Sequence, residues 1–214
     1  MNFLDFLLSR SDDMIELGLE HAAVVGVSVL LSTIIGVGLG LATYRRERSR
    51  GAILAITGAF LTIPSFALFI LLIGPLGLGA LPVVVALTMY GLLPIVRNTI
   101  TGLREVDPAI VESALGMGMS RRQVLRRIEL PLAWPVIITG VRVTTLVLLG
   151  IAAIGSIVLG PGYGDLIFTG LARVGTPVAV NLVLAGTVGV MILAVLFDIL
   201  FYAIRRLTTS KGIR

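Results

Sequence analysis

Long apolar runs separated by short polar segments organise the chain, at residues 22–43, 51–74, 80–96, 132–159 and 177–204. Each approaches or exceeds the length of about 17 to 25 residues that a helix needs to cross hydrocarbon, so the pattern predicts an all-α integral membrane protein with about five transmembrane helices. The third run is the shortest, and in the fourth Gly150, Gly155 and Gly160 leave room for a break. Pro64 and Pro135 predict kinks that neighbouring helices must support. Residues 1–21 mix Phe3, Leu4, Phe6, Leu7, Leu8, Ile15, Leu17 and Leu19 with Asp5, Asp12, Asp13, Glu16 and Glu20, the pattern of an amphipathic interfacial segment. They lack the basic start and clean apolar centre of a signal peptide. The expected division is thus an N-terminal segment 1–21, a membrane domain 22–204 and a basic tail 205–214.

Between the third and fourth runs lies the longest polar stretch, 97–131. Asp107 can cap a helix whose first residue is Pro108, since a carboxylate accepts orphan backbone N–H groups and proline has none to leave unpaired. That helix carries Ile110, Val111, Glu112, Ser113, Ala114 and Leu115. Gly116 and Gly118 interrupt it, glycine adopting a left-handed turn without a Cβ penalty. Ser120 and Gln123 then match a capping box, which starts a second helix with Val124, Leu125 and Ile128 on one side and Arg121, Arg122, Arg126 and Arg127 on the others. The unit reads as helix, glycine turn, helix.

Composition supports a membrane protein: 57% of residues are hydrophobic and 14% charged. The formal net charge of +5 does not point to nucleic acid, because the arginines cluster between apolar runs with few aromatics among them. Topology accounts for them better. Arg45, Arg46, Arg48 and Arg50 follow the first run; Arg97, Arg104, Arg121, Arg122, Arg126 and Arg127 follow the third; Arg205, Arg206, Lys211 and Arg214 follow the fifth. Only Arg10 and Arg173 fall on the other side. Five crossings then put the N-terminus outside, the 97–131 loop in the cytoplasm and the C-terminus in the cytoplasm.

The chain carries no phosphate-binding loop, since its only lysine, Lys211, is followed by Gly212 rather than by serine or threonine. Cysteine is absent, and His21, expected at the water boundary, has no partner at metal-ligand spacing. No catalytic residues, metal site or cofactor are expected, so energy must come from a partner. Two charges do lie deep within apolar runs. Arg142 and Asp198 sit at roughly 15 and 10 Å from the basic side at 1.5 Å per helical residue, similar depths that permit an ion pair. Among uncharged polar residues in the runs, Thr62, Pro64 and Ser65 are the best candidates for lining a pathway, because a proline kink frees carbonyls. Tyr90 is a further candidate for a pathway or gate, as are Arg142 and Asp198 themselves.

Glu112, Ser113 and Ala114, then Gly118, then Ile128, Leu130 and Pro131 stand at the spacing of the EAA motif, and the chain thereby resembles the membrane subunits of ATP-binding-cassette importers. Ser113 departs, where that family usually has alanine. The resemblance implies that the first short helix is a coupling helix that docks in a cleft of a separate cytoplasmic ATPase. It also implies a dimer of such ATPases, a second permease subunit, the same or homologous, and an extracytoplasmic substrate-binding protein, all at the inner membrane of a bacterial or archaeal cell. Further segments, Thr62–Ser65, Tyr90–Thr99, Val106–Pro108, Gly116–Met119 and Gly164–Ile167, look like the permeases for glycine betaine, carnitine and choline. Pro161 and Tyr163 depart from their usual pattern of small residues and leucine. The expectation is a permease subunit for a quaternary ammonium osmoprotectant. An importer of another small solute, such as an amino acid, is the alternative within the class, and a non-transporting scaffold or channel the alternative outside it.

Overall fold

A computed structural model describes residues 2–209, and among them every regular element is helical. The short α1 (Phe3–Leu8) tucks Phe6 into the core, and α2 (Ser11–Thr43) follows as one 33-residue helix. Next come α3 (Glu47–Thr62) and α4 (Ser65–Leu76), which meet at a bend of 97°. The central α5 (Ala80–Arg104) leads to α6 (Pro108–Gly116). Then α7 (Arg121–Val124) passes through a π-helical turn, Leu125–Glu129, into α8 (Leu130–Ile154). A 3₁₀ turn, Gly155–Val158, precedes α9 (Gly164–Ala172) and α10 (Ala179–Thr208).

Four long helices, α2, α5, α8 with its preceding turns, and α10, can each cross a bilayer by length and composition, and α3 with α4 is long and apolar enough for a fifth crossing if the bent pair is one span. Contacts along α5 argue that the pair does cross. Glu47 and Arg50 at the start of α3 share a polar basin with Leu103 and Arg104 at the end of α5. At the bend, the Ile63 carbonyl accepts a hydrogen bond from the Tyr90 hydroxyl, midway along α5. Beyond α4 the short turn at Gly77–Gly79 leads straight into Ala80, where α5 begins. The pair thus follows α5 from one end to the other, which a loop that turns back does not do.

Small residues set the packing. Helices in a bilayer gain little from leaving lipid for one another, so close backbone approach and van der Waals fit decide the interfaces. Along the parallel α2–α5 seam, Ser32 faces Gly91, Gly36 faces Ile95 and Gly40 faces Thr99. A Cβ on Gly40 would stand 2.6 Å from Thr99 Cγ2, and one on Gly91 2.7 Å from Ser32 Oγ. On the other face α8 runs antiparallel, with Gly102 against Ala133, Asn98 against Gly140, Gly91 against Thr144 and Val83 against Gly155. In turn α10 lies antiparallel on α8, tied by Trp134 Nε1 donating to Thr208 Oγ1 at 2.7 Å. The basic loops and helix ends therefore share one end of the bundle, and α1, α9 and the start of α2 the other.

Several elements differ from the expected boundaries. The N-terminal segment is not separate: α2 starts at Ser11, because no proline or helix-ending turn separates the acidic residues from the apolar run. His21 is accordingly not at a water boundary but fully buried, its Nε2 3.1 Å from the Leu149 carbonyl. The second run is two helices, since Pro64 lacks an N–H and forces Ile63 into an extended conformation (φ −74°, ψ 125°). The third run continues as helix to Arg104, which places Arg97 within α5. The fourth stops its α-helix at Ile154, where Gly155 begins the 3₁₀ turn. Helix α10 extends to Thr208, so Arg205 and Arg206 occupy its last turn rather than a tail. Residues 210–214, including Lys211 and Arg214, lie outside the described residues.

Candidate functional site

The polar loop folds as its sequence dictates. Asp107 Oδ1 accepts the Ala109 N–H at 2.8 Å and Pro108 opens α6. The Met119 N–H returns to the Ala114 carbonyl and Gly118 sits at φ +84°, a turn open to residues without a Cβ. Both arms of the capping box form: Ser120 N–H donates to Gln123 Oε1 at 2.7 Å, and Gln123 N–H to Ser120 Oγ at 3.4 Å. In α6 only Ala114 is buried, with Leu115 half-buried, while Glu112 and Ser113 are exposed. Ile110 and Met117, 77% exposed, leave an apolar surface uncovered at the basic end. Ile128 and Leu130 are half-buried and Pro131 exposed, in the π-turn and the first turn of α8. Apart from its own flanking turns, α6 meets the fold chiefly through α7.

At the root of this loop sits a polar cluster that sequence reading missed. Glu129, 5% exposed, ends the π-turn, and its Oε2 accepts from Tyr44 Oη at 3.0 Å and Arg45 Nη2 at 2.8 Å. The Arg45 guanidinium also lies 5.0 Å from the Tyr44 ring centroid. Burial foremost, then the Glu129 carboxylate, pushes the Tyr44 phenol up to about 12. The available signal was a single acid, Glu129, in a stretch where the other charges from 121 onward are Arg121, Arg122, Arg126 and Arg127.

The pathway candidates separate into two places. At the α3–α4 bend, Thr62 is exposed with its Oγ1 bonded to the Ala59 carbonyl, Pro64 is exposed and Ser65 opens α4. Buried Tyr90 joins them through its 2.8 Å hydrogen bond to the Ile63 carbonyl. That bond uses a carbonyl freed by the proline. Arg142 and Asp198 lie elsewhere, between α8 and α10, and form a two-pronged ion pair: Nε to Oδ1 at 2.6 Å and Nη2 to Oδ2 at 2.8 Å. Each side chain keeps 37% exposure, so the pair sits at the bundle surface rather than in its core.

Tyr163 turns out to organise the opposite end. Its hydroxyl donates to the Met14 carbonyl at 2.9 Å, and its ring fills space that Cβ atoms on Gly18 and Gly189 would occupy. It also lies 5.9 Å, centroid to centroid, from the His21 ring. Among the described residues no cluster of three or more His, Asp or Glu side chains could hold a metal.

Comparison with known proteins adds the family context. A family described as "binding-protein-dependent transport system inner membrane component" matches residues 32–210. The choline transport system permease protein OpuBB of Bacillus subtilis is 36% identical over 213 residues, covering 100% of this chain and 96% of the relative. The osmoprotectant import permease protein OsmW of Salmonella typhimurium is 36% identical over 220 residues, covering 100% of both. Among solved structures, a chain of the MetNI methionine ABC transporter superimposes with a TM-score of 0.79 at 23% identity, covering 92% of this chain and 96% of that one. Its likeness establishes the fold.

Proposed function

Because the chain belongs to the family of binding-protein-dependent transport system inner membrane components, we propose that it is the permease subunit of an ATP-driven importer for a quaternary ammonium osmoprotectant such as glycine betaine, choline or carnitine. Support for the substrate class comes from relatives named for choline and for glycine betaine, carnitine and choline, each 36% identical over essentially the whole chain. The observation that carries the ATPase coupling is α6: a self-capped helix, standing off the bundle, with Ile110 and Met117 uncovered beside Glu112 and Ser113. A helix that meets the rest of the fold chiefly through α7 and leaves Ile110 and Met117 uncovered fits a cleft in another protein. Glu112, Ser113, Ala114, Leu115 and Gly118 form that coupling unit, and Ile128, Leu130 and Pro131 join it to α8.

In this reading the basic end faces the cytoplasm and the N-terminus lies outside. An ATPase dimer that closes on ATP draws the α6 helices of two permease subunits together, and α7 with its π-turn carries that movement directly into α8. The bend at Thr62, Pro64, Ser65 and Tyr90 walls the path, where freed carbonyls can face a polar cavity. An extracytoplasmic binding protein delivers the solute, so the permease itself needs no full aromatic cage. Uptake of radiolabelled glycine betaine, choline and carnitine into proteoliposomes holding this chain, its ATPase and its binding protein tests the proposal. ATP-dependent uptake that Gly118→Asp abolishes, with membrane insertion intact, supports it. Uptake of none of the three, with binding-protein-stimulated ATPase activity intact, moves the substrate to another class.

A further inference from the structure

Glu129 stands where the polar loop ends and α8 begins. The loop's arginines 121, 122, 126 and 127 are all exposed, yet this carboxylate turns inward to the α2–α3 corner, where Tyr44 and Arg45 converge on one oxygen. A π-turn holds an extra residue and so rotates the helix beyond it, and such turns recur at functional positions. Tyr44 is itself packed into the apolar core of the basic end, with Val96, Ile100, Leu103, Ala133 and Ile137. The cluster therefore joins the loop's exit to a rigid part of the bundle by two charge-assisted hydrogen bonds.

We propose that Glu129 is a coupling residue, which carries movement of α6 through Tyr44 and Arg45 into α3. This rests on the reading that α6 docks an ATPase. Displacement of α6 passes to α7, and along the π-turn to Glu129. Helix α3 begins at Glu47, just past Arg45, and ends at the Ile63–Pro64 bend, whose carbonyl Tyr90 holds. It is thus a lever with the Glu129 latch at one end and the pathway wall at the other. Packing of α8 on α5 is a separate route, so loss of the latch weakens one output and spares the input.

The absence of cysteine from the chain allows single reporters. An environment-sensitive fluorophore is attached at Arg122→Cys on α7, exposed and between α6 and the π-turn, or at Ala59→Cys on α3, in the full transporter with cysteine-free partners in proteoliposomes. ATP with loaded binding protein changes the signal at both positions in the otherwise unaltered chain. Adding Glu129→Gln leaves the Arg122→Cys response intact and reduces the Ala59→Cys response and the solute carried per ATP hydrolysed by about tenfold, the scale of one charge-assisted hydrogen bond. Exchanging the pair, Glu129→Arg with Arg45→Glu, recovers both. Arg48→Gln, at an exposed arginine outside the cluster, changes neither. A full Ala59→Cys response in Glu129→Gln overturns the proposal. Equal loss at both reporters marks a merely structural role and also overturns it. If Glu129→Gln fails to insert, the exchanged pair decides: recovery supports the latch and its absence refutes it. No ATP response at Arg122→Cys in the otherwise unaltered chain refutes the docking reading, and the latch with it.

Discussion

Single residues show where a charge in a membrane is tolerated. Arg142 and Asp198 meet in a two-pronged pair, and an unpaired charge deep in a bilayer costs at least about 2.5 to 3.5 kcal/mol on insertion scales. Arg142→Asp and Asp198→Arg are each expected to lower the yield of folded protein in membranes severalfold. The double reversal restores it, as read by size-exclusion of detergent extracts. Tyr44 makes a pH prediction. Its folded-state pKa of about 12 lies above the ordinary 10.0, so the protonated phenol contributes stability that is complete below about pH 10 and is lost as pH rises toward 12. Thermal melts across that window should fall more steeply for the native chain than for Tyr44→Phe. The acid at Glu129 and the phenol at Tyr44 were readable as residues but not as partners, since they are 85 positions apart.

At the scale of elements, local rules succeeded where the chemistry was local. Asp107, Pro108, Gly118, Ser120 and Gln123 set the ends of α6 and α7 through hydrogen bonds between near neighbours, and the observed caps agree with them. Pro64 marked a kink, but its angle depends on what the two halves pack against: α3 on α5, and α4 on α5 and the 3₁₀ turn. Helix α9 went unforeseen because nine residues between Gly164 and Ala172 are too few to make a periodic pattern stand out. The α2–α5 seam yields a prediction of its own. Gly40→Val drives a side chain into Thr99 and should destabilise the bundle by about 1 to 3 kcal/mol, lowering its melting temperature, whereas Gly38→Val, whose Cβ meets nothing within 4 Å, should leave it near that of the native chain.

For the whole molecule, the informative question is whether α3 and α4 cross together. A crossing pair puts residue 48 and residue 174 on opposite faces of the membrane; a loop that turns back puts them on the same face. With the chain otherwise free of cysteine, an impermeant thiol reagent should label Val174→Cys in intact cells and Arg48→Cys only after permeabilisation. Labelling of both in intact cells, or of neither, overturns the five-crossing arrangement. Both side chains are exposed, so access within the fold does not limit either reaction.

The sequence alone determined that the chain is helical and membrane-embedded, how its basic residues alternate, and how its polar loop is capped. These depend on hydrophobic length and on hydrogen bonds between near neighbours. Tertiary structure decided which residues meet: Glu129 with Tyr44 and Arg45, Tyr163 with Gly18 and Gly189, Tyr90 with the carbonyl at the bend. In a bilayer the apolar faces are nearly equivalent to one another and to lipid, so hydrophobic pattern cannot choose neighbours. Steric fit at small residues and a few buried polar bonds make that choice, and neither exists until the helices are assembled.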